Sequence, residues 1–298
     1  MNEKTRAFTL VELLVVIGII GLLLGILLPS LNAARIAAKK SATATTISTL
    51  GTALETFKLD EKMNRGSYPP SKATEPTARP TADTPQFGPY PQGAELLAWA
   101  LVGADRLGPP GFIPRPGAIV PPPPQFEGWE MSTHRGPNGL YELLNGQPAA
   151  PRRSPFVDPN KTRLYALSGR PNDPALCFFD AFDQPILYYR ANLGRPALAS
   201  DCRGIKAQSD GIYELWDNNR ITGSLAGGVS GMDLGAGTEH PLGVLGTPTT
   251  PRTFSYIICD LNVTVRPMPQ RADSYLLISA GPDHRYGTKD DITNFEPN

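Results

Sequence analysis

Three aspartates near the C-terminus have the residue type and spacing best suited to binding chemistry. Asp283, Asp290 and Asp291 lie in a short segment that also contains Gly281 and Gly287. Hard cations such as Ca²⁺ prefer carboxylate and carbonyl oxygens, so a loop that turns at Gly287 would make a calcium site of these residues. The spacing is not that of an EF-hand, and an acidic turn in solvent explains the pattern alone equally well.

The histidines and cysteines form no catalytic or zinc-binding pattern. The sequence has no G-x-S-x-G, H-E-x-x-H or P-loop motif, so we expect that the protein is not an enzyme. No two cysteines are spaced as C-x-x-C. One disulfide, with Cys177–Cys202 as the preferred pair, and three reduced thiols are both compatible with the sequence. The residues concerned are His134, His240, His284, Cys177, Cys202 and Cys259.

The overall composition excludes a strong electrostatic field. Lysine and arginine (28) balance aspartate and glutamate (28) over 298 residues, so no nucleic-acid partner is expected. Proline (32) and glycine (29) together make about a fifth of the chain, which favours long irregular segments.

An apolar segment near the N-terminus is long enough to cross a membrane. Residues 13–31 are 19 positions without a charge, and a helix of this length spans a bilayer core of about 30 Å. A cleaved secretory signal is the alternative, although its apolar run is normally shorter. The basic residues on the two sides of the segment do not decide its orientation.

One carboxylate, Glu12, stands near the start of this apolar segment. A charge in the apolar layer is costly and needs a partner, unless the side chain reaches the interface. Gly21 and Gly25 form a G-x-x-x-G motif that lets two helices approach closely. Pro29 removes one backbone hydrogen bond and is expected to bend or loosen the helix.

The residues around Glu12 resemble a known processing signal. Arg6–Glu12, with the sequence RAFTLVE, is similar to the class III signal of type IV pilins and type II secretion pseudopilins. The resemblance implies that a prepilin peptidase cuts between Ala7 and Phe8 and methylates the new amine of Phe8. That family usually has glycine where this chain has Ala7. The resemblance also implies a cytoplasmic N-terminus, and a Glu12 that pairs with the terminal amine of a neighbouring subunit.

Beyond the membrane segment, the pattern predicts that the helix continues. Apolar residues recur at spacings of three, four and seven up to Phe57, which indicates one long helix over about 9–62 with an amphipathic second half. Two helices with a break near Gly51 are the alternative. Residues 64–70 end the helix with turn residues and prolines, and Tyr68-Pro69 again looks like pseudopilins.

The remainder is predicted to be a short helix and several strands. Residues 93–101 have the pattern of a short helix with one buried side. The strand segments are 185–190, 254–258 and 274–278, which we expect to form a small antiparallel sheet. The turn at 180–185 resembles the D-x-W-G-x-P turn of pseudopilins, with Phe182 and Asp183 in place of the usual Trp and Gly.

The end of the chain carries a second, independent resemblance. The sequence SAGPD…GT…DDITNF is similar to the calcium loop that ends the major pseudopilin of type II secretion. Asp283, Asp290 and Asp291 match its acidic ligand positions, so the resemblance implies Ca²⁺ as a cofactor. His284-Arg285 and Lys289 add positive charge beside these carboxylates.

Together these features predict an α+β protein in which a long N-terminal helix, with transmembrane and amphipathic halves, packs on a small antiparallel sheet with Pro/Gly-rich insertions. The predicted segments are a leader (1–7), a membrane and filament-core helix (8–31), its amphipathic half (32–65), a proline-rich insertion with a short helix (66–160), and a β-rich C-terminal domain (161–298).

The function that the resemblance implies is structural. The chain would be a pseudopilin that assembles into a periplasmic pseudopilus for type II protein secretion. It would cross the inner membrane once, with its C-terminal domain in the periplasm. Its partners would be the prepilin peptidase, identical and related pseudopilin subunits, and the inner-membrane secretion platform. A type IV pilus pilin, and a membrane-anchored extracytoplasmic binding module with a pilin-like leader, are the alternatives.

Overall fold

The structure is a computed structural model, and its described part leaves gaps along the chain. Ala7, Phe8, Cys202 and most of the proline-rich insertion lie outside the described residues. The described residues are 10–60, 66–71, 93–103, 106, 108–109, 154–166, 176–193, 205–206, 212–222, 253–263 and 268–296.

One helix dominates the N-terminal part. Helix α1 (Leu10–Leu59) has 50 residues and is about 75 Å long at the usual rise per residue. It runs through both Pro29 and Gly51, so the single-helix prediction is confirmed and the two-helix alternative is wrong. Its exposed threonine hydroxyls are satisfied because they donate to carbonyls four residues earlier, as from Thr49 to Thr45 at 2.9 Å.

The two halves of α1 have different surroundings. The large apolar side chains from Leu10 to Leu31 are exposed. The second half buries a stripe spaced three and four residues apart, as the periodicity predicts. This stripe consists of Thr43, Ile47, Leu50, Ala53, Leu54 and Phe57.

The central sheet has three antiparallel strands in the order β3-β8-β9. They are β3 (Leu187–Arg190), β8 (Tyr275–Ser279) and β9 (Ile292–Thr293). Tyr188 is paired with Leu277, and Ser279 with Ile292. Two of the three predicted strand segments are therefore strands of this sheet.

Both faces of the central sheet are buried, and each belongs to a different hydrophobic core. Tyr188 and Leu277 point to the face that packs with α1. Their neighbours Tyr189 and Leu276 point to the opposite face. Because side chains alternate along a strand, one short strand pair contributes to two cores at once. The sheet thus joins the long helix to the rest of the domain.

Shorter elements complete the described structure. Three further strand pairs are β1-β2, β4-β5 and β6-β7, of which β4-β5 is parallel. The elements are α2 (Gly93–Val102), β1 (Leu164–Ala166), β2 (Leu176–Phe178), β4 (Ile205–Lys206), β5 (Tyr213–Glu214), a 3-10 turn (Leu215–Asn218), α3 (Asn219–Thr222), α4 (Phe254–Ile258), β6 (Cys259–Asp260), β7 (Met268–Pro269) and a second 3-10 turn (Gly281–Asp283).

Helix α2 is buried on nearly all sides rather than on one, because it packs between α1 and the strands β2 and β3. The Asn218 side chain holds its first turn: it accepts from the Ala94 amide at 2.8 Å and donates to the Tyr188 carbonyl at 2.8 Å. A Cβ at Gly93 would lie 2.4 Å from that carbonyl oxygen, so only glycine fits here.

Two sequence predictions in this region are wrong. Residues 254–258 form helix α4 rather than a strand, because a short apolar segment buried in a core has no period that separates the two states. The preferred disulfide pair is also wrong. Cys177 is a buried thiol outside any disulfide, whereas Cys259 is disulfide-bonded. Spacing along the chain carries no information about which cysteines meet.

The buried stripe of α1 makes a testable contribution to stability. Leu54 is 0% exposed and Leu59 is 78% exposed on the same helix. We expect Leu54→Ala to lower the free energy of unfolding by about 2–5 kcal/mol through lost burial and a residual cavity. Leu59→Ala is the matched control and should change it by less than about 0.5 kcal/mol. Urea unfolding of the full chain in detergent, followed by tryptophan fluorescence, measures both; equal effects would contradict the helix packing described.

Candidate functional site

The N-terminal half of α1 presents a continuous apolar surface. None of the most apolar part of this helix is buried in the chain. Among the described residues it is the one helix long and apolar enough to cross a membrane. A helix that is apolar all round must be covered by lipid or by other helices.

The predicted assembly residues lie on this exposed surface. Glu12 is in the first turn of α1, where the helix dipole favours a carboxylate. A Cβ atom placed at Gly21 or Gly25 would have no other part of the described chain within 4 Å. Pro29 lies inside the helix without ending it. The surface is therefore open to a second helix.

A second feature is the turn between β2 and β3, which is organised by Asp180. This carboxylate is fully buried. One of its oxygens accepts from the amides of Phe182 (2.8 Å) and Gln184 (2.9 Å), and the other from the hydroxyl of Ser279 (2.6 Å). Burial raises the pKa of Asp180 above its ordinary value, while these hydrogen bonds act in the opposite direction. Asp180 thus fastens the turn to the end of β8.

Asp183 explains how this turn tolerates a departure from the resembled motif. Its φ of 67° is in the left-handed region, which glycine adopts most easily. Aspartate is among the few other residues that enter this region. Its side chain also forms an ion pair with Arg163, at the surface. The backbone conformation that the usual glycine provides is therefore retained here by an aspartate.

The same turn contacts the long helix. The Ala181 amide donates to the Thr43 hydroxyl at 3.1 Å, and the Lys39 ammonium lies 5.3 Å from the centre of the Phe182 ring. Thr43 is fully buried although it is polar, and this hydrogen bond satisfies it. The turn therefore links α1 to β8.

The C-terminal segment folds against this turn as a compact loop. Gln184 Nε2 and His284 Nδ1 are 2.9 Å apart, and the Tyr286 hydroxyl donates to the Pro185 carbonyl at 2.5 Å. Gly281 is required at the start of the loop. Its φ is 64°, and a Cβ there would lie 2.2 Å from the Asp290 carbonyl oxygen.

The three predicted calcium ligands all lie in this loop. Asp290 accepts from the Asp283 amide at 3.1 Å and from the Thr288 hydroxyl at 2.5 Å. Asp283 accepts from the Arg285 amide at 2.8 Å. These carboxylates therefore hold the loop's own backbone in this conformation.

Asp291 has a carboxylate that is buried and only partly satisfied by hydrogen bonds. The residue is 9% exposed, and its Oδ2 accepts from the Gly287 amide at 2.7 Å. Its Oδ1 is buried and accepts no hydrogen bond. Burial raises the pKa of Asp291 to about 8, opposed by backbone hydrogen bonds and reinforced by the negative charges of Asp283 and Asp290. A carboxylate oxygen in this state is suited to a proton or a cation.

The loop is nevertheless not a preformed metal cage. Within the part of the chain that the structure describes, no three histidine, cysteine, aspartate or glutamate side chains are placed to hold a metal ion together. The structure brings the three aspartates into one loop without bringing their oxygens to one point. The buried Asp291 Oδ1 is the observation that fits a hard cation.

Comparison with known families identifies the N-terminus. The model of the prokaryotic N-terminal methylation motif matches residues 3–28. These residues are the class III signal of type IV pilin-like proteins. No curated protein and no solved structure matches the chain.

The match confirms the signal that Arg6–Glu12 resembles and indicates a type IV pilin-like precursor. Such a signal implies processing by a prepilin peptidase and pilin-like assembly. The long helix on a small antiparallel sheet agrees with the predicted α+β pilin-like fold. The cleavage residues Ala7 and Phe8 themselves lie outside the described residues.

Sequence reasoning missed the residues that hold the helix, turn and loop together. They are the buried polar residues Asp180, Ser279 and Thr43. The Ser279 hydroxyl at the end of β8 donates to Asp180, and the turn that contains Asp180 donates a backbone amide to Thr43 of α1. The only local signal was Asp180 at the start of a turn with proline at its end, since aspartate often bonds to amides of its own turn. Nothing in the sequence near Thr43 or Ser279 indicates their partners.

Asp291 generates a prediction about pH. Because its pKa is raised in the folded chain, the folded state binds more protons than the unfolded state between about pH 4 and about pH 8, and stability falls as pH rises through this window. Without divalent cations, Asp291→Asn should raise the thermal midpoint at pH 8 by roughly 2–4 °C more than at pH 5, the shift that about 1 kcal/mol produces in a domain of this size.

The control is Asp158→Asn, which removes a carboxylate that is half-exposed and paired with Lys161 at the surface. This variant should leave the pH dependence of the thermal midpoint unchanged. Thermal unfolding by circular dichroism in the presence of a chelator measures both variants. A parallel shift of the Asp291→Asn profile at all pH values would show that this carboxylate does not titrate in the window.

Proposed function

We propose that the chain is a structural pseudopilin that assembles into a periplasmic pseudopilus for type II protein secretion. The observation that supports this best is the class III signal followed at once by an unbroken 50-residue helix. The first half of that helix is exposed and apolar, and the second half carries the folded domain. This arrangement suits a subunit held in the inner membrane and later packed with its copies.

Glu12 is proposed to control how subunits enter the filament. Cleavage before Phe8 would place a cationic amine four residues from Glu12 in the sequence. A buried carboxylate in an apolar helix bundle needs a cation, and the terminal amine of a neighbouring subunit supplies one. Gly21 and Gly25 would let those helices approach closely, because no side chain separates the backbones.

Ca²⁺ is proposed as the cofactor of the C-terminal loop. The buried Asp291 Oδ1, and the two carboxylates whose charges act on it, are hard oxygen donors of the kind this ion prefers. When bound, the ion would neutralise the repulsion among Asp283, Asp290 and Asp291. Since that repulsion and burial raise the Asp291 pKa, neutralisation would stabilise the folded loop.

The role is proposed to be mechanical rather than catalytic. The prepilin peptidase, related subunits and an inner-membrane secretion platform are the expected partners. A type IV pilus pilin is the second candidate, and a disulfide that closes the C-terminal loop would favour it; Cys259 is disulfide-bonded but lies before that loop. A membrane-anchored extracytoplasmic binding module is the remaining alternative.

Processing and assembly give the first test. In protein extracted from the membranes of its host, mass spectrometry should find an N-terminal peptide that begins with N-methylated Phe8. Glu12→Gln should keep this cleavage but reduce cross-linked multimers by at least tenfold, because the amine loses its charged partner. Glu55→Gln, the other acidic position on α1, is the matched control and should leave both unchanged.

An intact Met1, or a start near Arg35, would exclude a pilin-like subunit and favour a simple anchor or an ordinary signal peptide. Deletion of the gene separates the two filament types. Folded export substrates that accumulate in the periplasm indicate a pseudopilus. A loss of surface filaments with normal export indicates a pilus.

Calcium binding gives a separate test. Millimolar Ca²⁺ should raise the thermal midpoint of the full chain in detergent, because a ligand that binds only the native state stabilises it by mass action, by about 2.7 kcal/mol at 100 times its Kd. The same concentration of Mg²⁺ should have a smaller effect. Asp291→Asn should abolish the calcium shift, and Asp158→Asn should retain it. An unchanged midpoint with Ca²⁺ would remove calcium from the proposal.

A further inference from the structure

The first charged side chains after the apolar half of α1 are all basic. They are Arg35, Lys39 and Lys40, of which the first two are exposed and the third is half-buried. The acidic residues of this helix are Glu12 and Glu55, so no carboxylate lies on it between them. The segment therefore carries an uncompensated positive charge along the helix.

The continuity of α1 places these cations at a definite depth. At about 1.5 Å per residue, Arg35 lies about 6 Å beyond Leu31, and Lys39 and Lys40 lie about 12–14 Å beyond it. The headgroup region on each side of a bilayer core is roughly 5–8 Å thick. Arg35 is thus level with the headgroups, and the flexible stems of the two lysines are long enough to reach back to them.

The folded domain leaves the start of this segment, Arg35, accessible. Along α1, the contacts of the turn at 180–185 with Lys39 and Thr43 come first, and the contact of Tyr275 with Gly51 comes later. The contacts of the domain with α1 therefore begin within the basic segment, at Lys39. Arg35 precedes all of these contacts.

A neighbouring helix offers little to neutralise these charges. Of the two acidic residues on α1, Glu55 accepts a hydrogen bond from Tyr68 in its own subunit at 2.9 Å. Glu12 lies in the apolar half and is proposed to pair with a terminal amine. An anionic phospholipid headgroup, by contrast, lies at the depth of Arg35 and has the complementary charge.

We propose that Arg35, Lys39 and Lys40 bind anionic phospholipid headgroups and hold the subunit at the membrane surface before assembly. The proposal rests on the membrane anchoring of α1 in the proposed function. Each cation near an anionic membrane surface contributes about fivefold to affinity. The interaction weakens as salt screens it, because the charges are close to solvent.

The test uses the full chain in detergent micelles, titrated with phosphatidylglycerol or with phosphatidylcholine and followed by native mass spectrometry. We expect preferential retention of phosphatidylglycerol that falls with ionic strength. Arg35→Gln should lower the preference for phosphatidylglycerol about fivefold. Lys39→Gln should lower it by a similar factor. Lys161→Gln, which removes an exposed lysine of the folded domain, is the control and should leave it unchanged.

Equal retention of the two lipids, or an unchanged preference in Arg35→Gln, would overturn the proposal. So would variants that keep the lipid preference but lose multimers, since the cations would then contact a neighbouring subunit. A chain that carbonate washing removes from membranes would refute the proposed function itself. A chain that stays membrane-embedded without a lipid preference would refute this inference alone.

Discussion

The continuity of α1 is the constraint on which the rest of the structure depends. Because residues 10–59 form one helix, its exposed apolar half and its buried stripe cannot be covered by the same surface. The folded domain covers only the stripe, through the face of the sheet that carries Tyr188 and Leu277. The apolar half is left for lipid or for other helices, and this is the physical basis of the proposal that the subunit is first anchored and then polymerised.

The sheet covers the buried stripe of α1 with very few residues. Its strands are short, yet both faces are buried, so that Tyr188 supports the helix while Tyr189 supports the second core. Buried polar groups then fix how helix and sheet sit together. Asp180 bonds to Ser279 at the end of β8, and its turn bonds to Thr43 of α1. Removal of the Ser279 hydroxyl would take a hydrogen bond from the buried Asp180 carboxylate, and an unsatisfied buried group costs more than an average hydrogen bond contributes.

The C-terminal loop depends on the same connection. It begins directly after Ser279, and His284 contacts Gln184 of the turn that Asp180 holds. A change in the charge of Asp291 would therefore occur next to the residues that seat the domain on its helix. A proton at Asp291 relieves this repulsion, and the proposed calcium ion would relieve it too, so pH and calcium would then act on the same contribution to stability.

What the sequence by itself determined is local. The apolar half of α1 was predictable from its uninterrupted apolar composition, and its stripe from the periodicity of neighbouring residues. The strands at 187–190 and 275–279 were predictable because each is a short β-rich segment bounded by turn residues. The N-terminal signal was likewise a contiguous pattern. Only the tertiary structure decided that residues 254–258 form a helix, that Asp180 bonds to Ser279, and that Asp291 is buried among like charges. These features depend on contacts between residues far apart in the chain, and no local pattern specifies their burial or their partners.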